Sequence, residues 1–367
     1  MAKKKILITD EISETLGPLA VRARQLRGGV REGVLLVELI AGTTRVCVLP
    51  DRGLGIWKLT CGDLELGWQS PVQGPVHPRF VPLAEPSGLG WLDGFDELVA
   101  RCGLVSNGAP DFDAQGRLRH GLHGRVANLP ADGVEVTLDD TAGTVALTGA
   151  VAETRFLIHS LRMTTALVVH ADRPRVAWTD TVENLSDRPA TAQMLYHVNF
   201  GPPLLGAGAE FVAAVEELAP RDQAAVGDVP SWNRYDAPQA GRGEQVHFMR
   251  LRPDAGGRAT ALLVSPDGSH AASLSWRAAE LPYFTLWKNQ GGLADGYVTG
   301  LEPGTNYPNP RSFEEAQGRV VHLAPRARVA FDLAIEHLSG PQLSATRAQL
   351  TGGGQPVVHG QPRHGWS

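Results

Sequence analysis

The chain has 367 residues, 43% of them hydrophobic and 20% charged, a globular balance with length enough to bury a full core. Its net charge of −5 supplies no strong field for nucleic acid or for an anionic membrane surface. No run of about 18 apolar residues occurs, so no membrane-spanning helix is expected.

The first segment, MAKKKILITDEISETLG, has a basic start but lacks the apolar stretch that a secretory signal needs behind it. The cysteines, Cys47, Cys61 and Cys102, are odd in number and form no CxxC pair. Both features predict a cytoplasmic protein in a reducing compartment. TLGPLAVRARQL fits helix or strand. LPDRGLGIWKL sets Asp51 and Arg52 in a turn before a tryptophan, where a structural ion pair or turn is the favoured reading. GFDELVARCGL predicts a short helix from about Phe95 to Cys102.

RHGLHGRVANLPA then places His120, His123 and Arg125 among glycines in a loop. Glycines there permit tight turns and close approach of a ligand to backbone. A polar surface turn is the competing reading, and two histidines at HxxH spacing are too few for a metal site.

GVEVTLDDTAGTVALTGAV alternates with period 2 on either side of a turn, a hairpin signal. RVAWTDTVENLSD repeats the pattern with Val176, Trp178 and Val182. QMLYHVNFGPPLLG brings His197 to or near a strand end, as a core histidine or as a group reaching into a cleft. ATALLVSPDGSHAASLSW reads as strand, Pro-Asp-Gly turn, strand.

LPYFTLWKNQGG pairs Trp287 with Lys288, the only lysine beyond Lys58. A flat apolar ring beside a cationic donor suits a sugar. GLEPGTNYPNPRS follows an apolar approach and presents Glu302 where Pro303 is expected to stop a strand. RVAFDLAIEHL aligns Val329, Phe331, Leu333 and Ile335 on one face.

With 42 glycines, 26 prolines and many short strands, the chain reads as all-β, an antiparallel sandwich or barrel. One domain is expected over residues 1–350, with a loosely ordered tail over 351–367.

The order GLHGR, YHVNFG, GLEPGTNYPNP resembles the aldose 1-epimerase (galactose mutarotase-like) family. DRGLGIWKL, LHGR and EPGTN resemble its bacterial DUF4432-type branch. The likeness runs from about Gly33 to His337. It implies a large antiparallel β-supersandwich with a sugar cleft and no cofactor. It implies that His197 protonates the ring oxygen, that Glu302 removes the anomeric hydroxyl proton, and that His123 binds near the ring oxygen. Arg125, Lys288, Trp287, Asn306, Arg52 and His120 are the candidate sugar-binding residues. The chain departs from the better-known mutarotases in having LHGR for an LHGG-like stretch and a different loop after the glutamate. Asp93, Asp295 or neither takes the place of their hydroxyl-binding aspartate.

The reading is thus of an anomer-exchanging isomerase. The alternatives are a non-catalytic carbohydrate-binding protein on the same fold, or a metal-dependent sugar isomerase or lyase with His120, His123, His197 and Glu302 as ligands.

Overall fold

The computed structural model describes residues 3–9 and 11–367. Strands dominate it, and the α-helices among the described residues are three short ones, Gln223–Val226, Arg311–Ala316 and Gly340–Thr351. A nine-stranded sheet and a fourteen-stranded sheet pack over one apolar cluster drawn from both. Apart from one short parallel pairing at Val357–Val358, their ladders are antiparallel.

The alternating segments build the smaller sheet. Ala131–Asp139 and Thr144–Arg155 form the expected hairpin, closing with Asp139 opposite Thr144. Arg175–Asn184 buries every second residue, which is what one face on the core and one nearer solvent requires. Asp180 occupies an inward position of that strand and is fully buried. Its carboxylate accepts from Arg101 Nε at 2.6 Å, Thr165 Oγ1 at 2.6 Å and Tyr196 Oη at 2.9 Å. Arg101 and Tyr196 belong to the larger sheet, so this satisfied pair ties the two layers together.

The larger sheet carries four neighbouring strands that matter here: Val99–Leu104, Ala190–Phe200, Val298–Gly304 and Tyr283–Asn289. Met194, Tyr196, Val198, Phe200, Leu286 and Leu301 pack into the intersheet core. Period 2 therefore turns His197, Asn199, Glu302 and Trp287 to the opposite face.

Several sequence expectations change. Phe95 to Cys102 is not a helix: Val99–Leu104 is a strand, buried at every position. A strand covered on both faces shows no polar alternation, so its pattern mimics a buried helix. TLGPLAVRARQL forms two strands, Ile12–Leu16 and Leu19–Gln25, with Leu16 opposite Leu19. Pro303 does not end its strand, which runs to Gly304 with Pro303 opposite Phe284. The segment after Leu350 is docked rather than loose. Val357 and Val358 pair with Glu217 and Leu218, and Trp366 packs on Tyr307 while its carbonyl accepts from Asn309 at 2.7 Å.

Candidate active site

Two strands set the centre. Leu195 stands opposite Gly304 and Val198 opposite Leu301, and this register places His197 directly across from Glu302. Thr285 sits on the other side of Glu302, on the next strand. Directly opposed side chains on one sheet face stand about 5 Å apart at Cβ. His197 Nε2 accordingly lies 3.2 Å from Glu302 Oε1. The approach is close but not aligned as a hydrogen bond, since Oε1 has no hydrogen-bonding partner in the protein. Gly300 leaves room for the pair: a Cβ there would come within 2.5 Å of Glu302 Oε1 and 3.0 Å of His197 Cε1.

Hydrogen bonds set the histidine tautomers. Asn199 Nδ2 donates to the carbonyls of Glu97 and His197, both at 3.0 Å, so its oxygen faces His197 Nδ1 at 2.6 Å. Nδ1 must then carry the hydrogen, and Nε2 presents a lone pair to Glu302. His123 is fixed likewise, its Nδ1 donating to the Asn107 carbonyl at 2.9 Å. The turn that aims it is tight. His123 has φ +56°, Gly124 has φ +72°, and a Cβ at Gly124 would lie 2.0 Å from the Ser106 carbonyl oxygen. Only glycine fits the second position, which explains the HG of the LHGR stretch.

Aromatic rings wall the cavity. Phe95 and Trp287 stand edge-on to His197 at centroid distances of 4.9 and 5.3 Å, and Trp91 meets His123 at 4.6 Å. The enclosed volume is about 450 Å³, within the usual range for small-molecule sites of about 300–1,000 Å³. Arg221, Glu244 and Asp295 also line it, and Trp287 Nε1 donates to Glu244 at 2.7 Å.

Burial shifts the proton affinities of His197, His123 and Glu302. Burial, aided by the neighbouring His123, pushes the His197 imidazole well below its ordinary value. Burial also brings His123 down to about 4. Burial, with the Glu244 charge adding, holds the Glu302 carboxyl well above the usual carboxylate range. Both shifts favour the neutral forms, an uncharged imidazole at His197 and a carboxylic acid at Glu302. These directions run against the simple expectation of an imidazolium facing a carboxylate, because burial penalises the charged form of each group.

His123, His197, Glu302 and Trp287 thus share one cavity. Five other candidates lie outside it. Lys288 follows Trp287 and so points through the sheet. It is fully buried, with Nζ 2.6 Å from Asp228 Oδ2, a structural ion pair. Arg52 is also structural: its guanidinium binds Glu97 Oε1 at 2.6 Å and the Gly94 carbonyl at 2.6 Å, bracing the loop that carries Phe95. Asn306 exchanges two side-chain hydrogen bonds with Asn107, at 2.9 and 2.8 Å, and so supports His123 from behind. Arg125 is exposed, and His120 is a half-buried residue of the strand Leu118–His120. Among the described residues no group of three or more His, Cys, Asp or Glu is placed to hold a metal ion. Of the candidate aspartates, Asp295 reaches the cavity wall and Asp93 does not.

Trp91, Phe95, Thr285, Arg221 and Glu244 escaped the sequence reading. Phe95 and Trp91 lay in or beside the segment read as helix, and nothing local marks Thr285 apart from its place two residues before Trp287.

A family model described as "Domain of unknown function (DUF4432)" matches residues 31–337. No curated protein matches the chain. Among solved structures, a Klebsiella pneumoniae protein described as a "putative aldose 1-epimerase" is 30% identical, with a TM-score of 0.92 over 98% of this chain and 99% of that one. A galactose mutarotase-like protein from Clostridium acetobutylicum is 14% identical, with a TM-score of 0.60 over 89% of this chain and 100% of that one. A galactose 1-epimerase from Lactobacillus acidophilus is 13% identical, with a TM-score of 0.55 over 88% of this chain and 99% of that one. The chain belongs to the DUF4432 family and has the galactose mutarotase-like fold.

Proposed function

We propose that the protein interconverts the anomers of an aldose by acid–base opening and reclosure of the sugar ring. One observation carries this: an imidazole and a carboxyl are directly opposed across two strands, 3.2 Å apart, inside an aromatic-walled cavity. The likeness to the Klebsiella protein described as a "putative aldose 1-epimerase" agrees with it.

The chemistry balances within the site. Substrate hydroxyls entering the cavity solvate the carboxylate, and the proton crosses from Glu302 Oε1 to His197 Nε2. Glu302 then takes the anomeric hydroxyl proton as His197 delivers its own to the ring oxygen. The ring C–O bond breaks and the aldehyde forms. Rotation about C1–C2 exposes the other carbonyl face, and the same two transfers in reverse close the ring. The pair ends with the proton count it began with. Each positioned acid or base contributes roughly 10²–10⁴-fold, and the rigid cross-strand spacing supplies the orientation. His123, neutral and with a bare Nε2, accepts a hydrogen bond from a neighbouring hydroxyl.

The test is anomer exchange, by polarimetry or saturation-transfer NMR, on wild type and on Glu302→Gln over neutral, acidic and phosphorylated aldoses. Exchange above the spontaneous rate that Glu302→Gln abolishes is expected. Spontaneous rates for every sugar would remove the reading.

A further inference from the structure

A second cavity, of about 380 Å³, shares no lining residue with the first. Several segments meet there. Thr191, near the start of the strand Ala190–Phe200, stands opposite His322 on the short strand Val321–Leu323. His159 begins the strand His159–His170, and Arg311 begins the helix that follows the proline-rich stretch after Glu302. Arg188 and Ile158, both exposed, also line it.

Arg311 is only 8% exposed, yet it forms no ion pair among the described residues. Its Nη1 donates to the Val105 carbonyl and its Nη2 to the Thr191 hydroxyl, so two of its five N–H groups are committed, both to neutral acceptors. Nε makes no hydrogen bond within the protein and is not one of the enclosed unpaired atoms, so it keeps access to solvent. The carboxylates whose charge reaches Arg311 are engaged elsewhere or face solvent. Asp111 accepts from the Ser312 N–H at 2.8 Å and from its hydroxyl at 2.9 Å, Glu153 accepts from the Leu104 N–H at 2.7 Å, and Glu315 is exposed. A charge this deeply buried is stable only when paired, so a guanidinium without a counter-ion in a cavity wall marks the place of an anion.

The surroundings add positive charge. Burial, and then Arg155, Arg125 and Arg311, hold the His159 imidazole below its ordinary value. Arg188 Nη2 donates only to the carbonyls of Leu157 and Ile158, at 3.0 and 3.3 Å, and the neighbouring Asp187 is taken by Arg326 at 3.0 Å. Arg125 of the LHGR stretch, which the first cavity does not use, thus contributes to the field of the second.

We infer that this cavity is a second binding site, for a phosphate monoester. The phosphate lies on the guanidiniums of Arg311 and Arg188 and the imidazoles of His159 and His322, and the organic group lies against Val105, Ile158, Pro189 and Ala190. Forked guanidinium donors match phosphate oxygens in geometry. Several unpaired arginines around one cavity are better neutralised by a dianion than by a single carboxylate. The volume falls in the range of small-molecule sites, which leaves room for more than a bare phosphate. This site stands whether or not the first cavity exchanges anomers.

Calorimetry on the full chain tests it with phenyl phosphate, inorganic phosphate and benzoate, three probes that share either the phosphate or the ring. Phenyl phosphate is expected to bind saturably, and more tightly than the other two by roughly 10-fold or more. Arg311→Gln and Arg188→Gln should each weaken it roughly 10–100-fold, the loss of one charge-assisted contact. Arg188 is exposed, so Arg188→Gln keeps the test open should Arg311→Gln, which gives up two internal hydrogen bonds, fail to fold. No saturable binding, or binding that neither substitution weakens, overturns the site. Benzoate held as tightly as phenyl phosphate overturns the phosphate assignment, and inorganic phosphate held as tightly overturns the organic half of it.

Discussion

Glu302→Gln separates chemistry from folding in one substitution. The amide keeps the shape of the carboxyl but neither gains nor loses a proton. Loss of a positioned acid or base costs roughly 10²–10⁴ in rate, or about 2.7–5.4 kcal/mol of transition-state stabilisation. Stability moves the other way. Burial raises the Glu302 carboxyl above its ordinary 4.5, so it binds its proton more tightly folded than unfolded. Folding then takes up a proton between 4.5 and the raised value, and the carboxyl's contribution falls as pH rises through that window. The slope reaches about 1.4 kcal/mol per pH unit. His123 has the opposite sign: with its pKa down at about 4 instead of 6.5, the stability it supports is present above pH 6.5 and lost as pH falls towards 4. Subtracting variant from wild type cancels that background. Guanidinium unfolding curves at several values between about pH 5 and 8 should show Glu302→Gln gaining on wild type as pH rises. Exchange NMR on the same samples should show the rate lost. A variant with wild-type exchange, or two stability curves parallel across the range, would refute the argument.

Four further substitutions test how the site and its surroundings are held. Asn199→Ala removes the acceptor that keeps the hydrogen on His197 Nδ1 at 2.6 Å; exchange should fall roughly 10–100-fold, and nitrogen NMR should report a mixed tautomer. Gly300→Ala puts a methyl within 2.5 Å of Glu302 Oε1; it should cost about 1–3 kcal/mol in denaturant unfolding and displace the carboxylate, so that exchange falls. Lys288→Met removes the 2.6 Å partner of Asp228, which keeps His247 Nε2 at 2.9 Å, and should cost about 1–3 kcal/mol of stability. Arg125→Ala, at an exposed position, should change stability by no more than about 0.5 kcal/mol and leave exchange intact.

How far the fold could be read from the chain depended on exposure. Arg175–Asn184 and Thr144–Arg155 lie in the sheet with one wetter face, and their alternation announces them. Val99–Leu104 and Val298–Gly304 are buried on both faces, so polarity no longer reports the period. That is why the first reads as a helix and the second as a strand that Pro303 ends. Trp287 and Lys288 show the same limit in the candidate site. Adjacent in sequence, they point to opposite faces of one strand, so Trp287 walls the cavity while Lys288 pairs with Asp228 on the far side.

The amino-acid sequence by itself determined the all-β class, the hairpins, and the presence of two histidines and a glutamate in stretches that resemble those of sugar epimerases. Tertiary structure alone decided which groups meet. Strand pairing sets His197 across from Glu302, separated by about a hundred positions along the chain, and no local pattern encodes that register. Folding also shifts the proton affinities of the pair towards the neutral forms. An imidazole or a carboxyl has its ordinary affinity for a proton in any sequence, and only enclosure by Phe95, Trp91 and Trp287 removes the water that would keep it so.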